Sequence, residues 1–111
     1  MSKALVEKLK KAREFGVTVG GNTFTVRRPT DADVINIPGA NVLDYVHRFV
    51  VGWDLTELEV IPGGGPEPVP FDADLWTAWV DDRPDVWEPL GKALLDAYRV
   101  HAEAREEDRK N

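Results

Sequence analysis

Residues 17–26 read Val17-Thr18-Val19-Gly20-Gly21-Asn22-Thr23-Phe24-Thr25-Val26. Apolar residues alternate with threonine on both sides of Gly20-Gly21-Asn22, the period of a strand with one buried face. Gly and Asn tolerate the positive φ of a tight turn, so the stretch predicts a β-hairpin, about 17–20 with 23–28. A lone hairpin is marginal in water. It has to pack on helices or pair with another chain.

The flanking sequence supplies helices. Upstream, residues 3–14 place Leu5, Leu9 and Ala12 on one helical face, and Gly16 is a stop. Downstream, Pro29 closes the strand and Thr30-x-x-Asp33 opens a short helix like a capping box, broken at Pro38-Gly39. A further helix is expected from about Asn41 to Val51, with Val42, Leu43, Val46, Phe49 and Val50 as its apolar stripe, Asn41 as N-cap and Gly52 as C-cap. The stretch from Trp53 to Phe71 is irregular, with Leu55–Ile61 either extended or helical. Residues 62–70 hold four Pro and three Gly and read as an exposed loop. Asp72 caps a helix carrying Leu75, Trp76, Trp79 and Val80, which stops at Asp81-Asp82-Arg83-Pro84. Asp85-x-x-Glu88 is a capping box for the last helix, with Pro89 in its first turn. Beyond His101 the sequence is almost all charge, and the helix is expected to fray into solvent. The expected fold is therefore α+β: mostly helical, with one N-terminal antiparallel hairpin packed on helices. It comprises one globular domain over 1–101 and a charged tail over 102–111.

The chain of 111 residues suffices for one modest core. It has no Cys, which removes disulfides, thiolate metal sites and a cysteine nucleophile. Residues 1–14 contain no continuous apolar run of the kind a signal peptide needs, and no segment approaches a membrane span. The net charge of -6 is uneven. Residues 1–30 carry seven Lys/Arg against two Glu, while 31–111 carry seven Lys/Arg against eighteen Asp/Glu, balances of +5 and -11. Beyond solubility, such polarity fits a subunit whose basic end attracts the acidic end of another copy, or of a partner. The acidic balance argues against nucleic acid as a partner.

The chemistry-bearing inventory is thin. His47 and His101 are the only histidines and have no close third ligand for a metal. The Asp pairs at 31/33, 72/74 and 81/82 sit at helix ends, where capping accounts for them. Gly63-Gly64-Gly65 lacks the Lys-Ser/Thr of a phosphate loop. Ser2 is the only serine. No catalytic, cofactor or metal residue is assigned, and the expectation is a binding protein and not an enzyme. Trp53, Trp76, Trp79 and Trp87 lie within 35 residues, and 54–88 holds ten Asp/Glu and one Arg. Trp76 and Trp87 read first as core. One helix in so small a domain is not expected to bury Trp76 and Trp79 equally. Trp76, Trp79, Asp81 and Asp82 are the candidates for a surface that takes an apolar, basic partner segment.

The order of short motifs adds a resemblance. Arg27-Arg28-Pro29-Thr30 follows the hairpin, then comes Val50-Val51-Gly52-Trp53-Asp54. A loop ends in Pro68-Val69-Pro70-Phe71-Asp72, and an Asp-Arg-Pro-Asp break precedes a last helix at Trp87. Over residues 17–100 this resembles the tail assembly chaperones of long-tailed bacteriophages. The resemblance implies a helper that coats the hydrophobic tape measure protein, recruits tail tube subunits, self-associates, and acts in the host cytoplasm without remaining in the virion. It also implies a frameshifted longer form in many members. Trp53 and Phe71 match motif positions and are expected to be structural anchors, as is Trp87 from its place on the last helix. The alternative is another small phage structural component, such as a head-tail connector or completion protein.

Overall fold

A computed structural model describes residues 2–36 and 41–110. The chain runs α1 (Ser2–Ala12), β1 (Glu14–Val19), β2 (Asn22–Arg27), α2 (Asp31–Asn36), α3 (Val42–Phe49), β3 (Val50–Trp53), α4 (Glu57–Val60), α5 (Ala73–Val80) and α6 (Pro84–Lys110). A three-stranded antiparallel sheet in the order β1-β2-β3 packs against helices, so the fold is α+β. The expected break at Pro38-Gly39 lies outside the described residues.

The hairpin forms with the turn at Gly20 and Gly21, whose φ values of 59° and 85° are the left-handed pair a two-residue hairpin loop demands. It reaches further back than the alternation indicates. β1 begins at Glu14, pairing Glu14 with Arg27 and Phe15 with Val26, and the Arg27 guanidinium holds the Glu14 carboxylate at 2.8 Å. The preceding helix accordingly ends at Ala12, before Gly16.

The third strand is a correction. The helix expected to run to Val51 ends at Phe49, and Val50–Trp53 pairs with the free edge of β2. The β-branched pair Val50-Val51 favours extended backbone, and the pairing makes β2, which carries Phe24 and Val26, the central strand. A register shift at Thr25/Val26 lets Gly52 face Thr25, where an added Cβ would sit 3.2 Å from the threonine Cβ. Gly52 is thus a strand residue and not a C-cap.

α3 begins with a reciprocal cap. Asn41 Oδ1 accepts from the Asp44 amide at 3.0 Å, and Asp44 accepts from the Asn41 amide at 3.2 Å. α6 starts at Pro84, earlier than expected, because the fixed φ of proline suits the first helical position. Pro89 then falls inside the helix, past its first turn.

The helix does not stop at 101. It continues to Lys110, and Arg105 pairs with Asp31 on α2. Tyr98 donates to the same carboxylate at 2.9 Å. That hydrogen bond, with Arg105 close by, holds the Asp31 carboxyl below the usual carboxylate range; the same bond, with burial, pushes the Tyr98 phenol up against the opposing effect of Arg105. Burial, then the neighbouring Arg13, lowers Arg28 at the same end of the sheet.

The core is continuous. Phe24 and Val26 of β2 meet Val46 and Phe49 of α3, Trp76 and Val80 of α5, and Leu90 and Leu94 of α6, with Leu55 completing it. α3 crosses α6 at Gly91, where a Cβ would lie 2.0 Å from Val42 Cγ1. Among the described residues no helix is long and apolar enough to cross a membrane.

Candidate protein-binding surface

α5 is fixed at its start by Asp72, whose carboxylate accepts from the Leu75 amide at 2.9 Å. Its spacing of three and four residues then decides the fate of its tryptophans. Trp76 and Val80 turn inward and are fully buried. The Trp76 indole donates to the Val46 carbonyl at 3.0 Å. That carbonyl belongs to the last turn of α3, so the bond ties α5 to α3. Trp76 was a candidate partner contact; burial removes it from that role.

Trp79, three residues on, lies at the margin of the same aromatic cluster. Its ring centroid is 5.9 Å from that of Trp76, 6.2 Å from Trp53 and 6.3 Å from Phe24. The indole donates to the Glu59 carbonyl at 3.3 Å, which ties α5 to α4. The Arg83 guanidinium stands 4.9 Å from the Trp79 ring centroid, a cation–π geometry.

Two open clefts flank this Trp79–Arg83 ridge. One, about 370 Å³, is lined by Val60, Ile61, Leu75, Ala78 and Asp82. The other, about 460 Å³, is lined by Val19, Leu55, Leu58, Glu59, Asp85 and Val86 among others. Leu58 and Ile61 are 58% and 56% exposed, so the face presents large apolar side chains to solvent beside carboxylates. Among the described residues that line the two clefts the cation is Arg83, and it lies over the Trp79 ring.

The loop over 62–70 holds α4 in place. Its backbone bonds to both flanks of α4: Glu57 donates to Glu67 at 2.9 Å, Leu58 to Gly65 at 3.0 Å, and Val69 to Leu55 at 2.9 Å. Gly64 is needed for this approach, since a Cβ there would lie 2.6 Å from the Glu57 carbonyl carbon. The loop expected from composition is thus hydrogen-bonded to α4, and α4 with its C-cap carries the exposed pair Leu58 and Ile61.

Of the candidates from sequence, Trp79 and Asp82 share this face. Asp81 pairs instead with His47 at 2.6 Å and lines neither cleft. Trp53 and Phe71 pack edge to face at 5.2 Å, and Trp53 donates to the Val69 carbonyl at 2.7 Å. Both are partly buried against the core, as anchors at its margin. Trp87 also packs against the core and lines a separate cleft with Val42, Glu88, Lys92, Leu95 and Asp96.

Leu58, Ile61 and Arg83 were not foreseen. Leu58 and Ile61 lie at i and i+3, a signal present in the sequence but too short to read as a helical stripe. Among the described residues, no group of three or more His, Asp or Glu is placed to hold a metal ion. Set beside protein-family models, curated proteins and solved structures, the chain matches none.

Proposed function

We propose that the chain is a tail assembly chaperone of a long-tailed bacteriophage. It binds the tape measure protein through the Trp79 face and helps recruit tail tube subunits in the host cytoplasm. The observation that carries the reading is that face: Leu58 and Ile61 exposed beside Trp79, with Glu59, Asp82 and Asp85 around them. Such a surface shields apolar side chains of a partner and favours basic flanking residues. A second support is the link between the two motifs of the resemblance. Trp53 of the first donates to Val69 of the second and packs edge to face with Phe71. Their order and spacing therefore correspond to one packed unit.

The test is co-expression with the tape measure protein of the same phage. The proposal predicts a soluble complex that co-purifies, and no copy of this chain in purified particles by mass spectrometry. A tape measure protein that stays insoluble with the chain present contradicts it. Recovery of the chain in particles at a fixed stoichiometry favours a structural component instead.

A further inference from the structure

α1 is amphipathic and uncovered. It has no buried residue, and Leu5, Val6 and Leu9 are 62%, 46% and 63% exposed. Helical spacing puts these three on one side with Lys8 and Lys10 at its edges. The helix carries Lys3, Lys8, Lys10 and Lys11 against Glu7 alone. An isolated helix of this length is marginal in water, so its apolar stripe calls for a partner surface.

The Trp79 face has the complementary character. It offers exposed Leu58 and Ile61 with Glu59, Asp82 and Asp85 beside them. It also lies at the other end of the hairpin. α1 joins β1 at Glu14 through Arg13, whereas Val19 and Gly20 line the cleft at the far end of β1. Six strand residues put about 17–20 Å between the two ends.

We infer that α1 of one copy seats on the Trp79 face of a second copy. Leu5, Val6 and Leu9 cover Leu58, Ile61 and Trp79, and the lysines lie against Glu59, Asp82 and Asp85. Arm and receptor are different surfaces, so the contact is heterologous and propagates head to tail until it closes or is capped. The inference shares its cleft with the function proposed above but needs no phage partner. A tape measure segment would compete with the arm for the same face.

The experiment is sedimentation velocity on the full chain over a range of concentrations, at low and high salt. Two variants test the two sides: Leu5→Glu with Leu9→Glu in the arm, and Ile61→Lys with Asp82→Lys in the cleft. The arm positions bear on no core contact, so that variant keeps the fold even where the cleft variant does not, and thermal melts check both. The expected result is association in the parent that weakens about tenfold or more between about 0.01 and 1 M salt, as screening requires. Each variant is monomeric, and an equal mixture of the two re-associates, because it contains an intact arm and an intact cleft. A strictly monomeric parent overturns the inference, as does undiminished association of the arm variant. Co-sedimentation of a monomeric parent with anionic lipid vesicles also overturns it and assigns the arm to a membrane surface. Loss of tape measure binding alone leaves it untouched.

Discussion

The Trp76 indole fills the centre of the core and also ties α5 to the last turn of α3 by donating to the Val46 carbonyl. The two contributions separate by substitution. Trp76→Phe keeps most of the ring volume and removes that hydrogen bond, a loss of about 0.5–1.5 kcal/mol. Trp76→Ala adds a cavity and costs about 3–5 kcal/mol. Urea unfolding of both variants gives the two figures; a Trp76→Phe variant as stable as the parent would show that the hydrogen bond carries no weight. Gly91 is a second decisive residue. A side chain there meets Val42 across the α3–α6 crossing, so Gly91→Val is expected to lose about 1–3 kcal/mol through overpacking. Unchanged stability would mean that the two helices move apart freely. The sequence separated Trp76 from Trp79 only as unequal partners on one helix. Which of them turns inward depends on where α3 ends, and a helical stripe that flows into Val50-Val51 conceals that end.

Among the elements, the hairpin was the most legible, because alternation and a Gly-Gly turn are local signals. β3 was not, since its pairing with β2 is a property of two segments far apart in sequence. α6 was legible as a helix but not in its reach, because a surface charge such as Arg105 shows its partner only in three dimensions. That partner gives a pH prediction. The Asp31 carboxyl is held below its usual range, chiefly by the Tyr98 hydroxyl and then by Arg105. A depressed carboxyl stabilises the fold above its unfolded pKa of about 3.9, and the contribution is lost as pH falls through the lower folded value. Asp31→Asn should therefore melt below the parent at neutral pH, with the gap closing in acid below about pH 4. A gap independent of pH would contradict the assignment. Truncation supplies a second check on this helix. Removing residues 106–111 leaves the Arg105–Asp31 pair in place and should hardly move the melting temperature. Removing 104–111 breaks the pair and should lower it further; identical melts would show that Arg105 contributes nothing.

At the scale of the whole molecule, the apolar face of α1 and the Trp79 face lie uncovered at opposite ends of a hairpin, one basic and one acidic. Composition revealed the charge asymmetry. It did not reveal the acidic face, because Leu58 and Ile61 come from a four-residue helix and its C-cap, whose position is set by the loop that follows. Trp79→Ala belongs to this scale as well: its ring is part of both the cluster and the ridge, so it should reduce partner capture with some loss of stability. Leu58 and Ile61 isolate the surface from the core, since both are more than half exposed. The most direct measurement is therefore capture of the co-expressed tape measure protein by the parent and by the double variant Leu58→Asp with Ile61→Asp. The variant is predicted to melt within a few degrees of the parent, about the effect of a surface change, and to lose most of the capture. Equal capture by a folded variant would contradict the account.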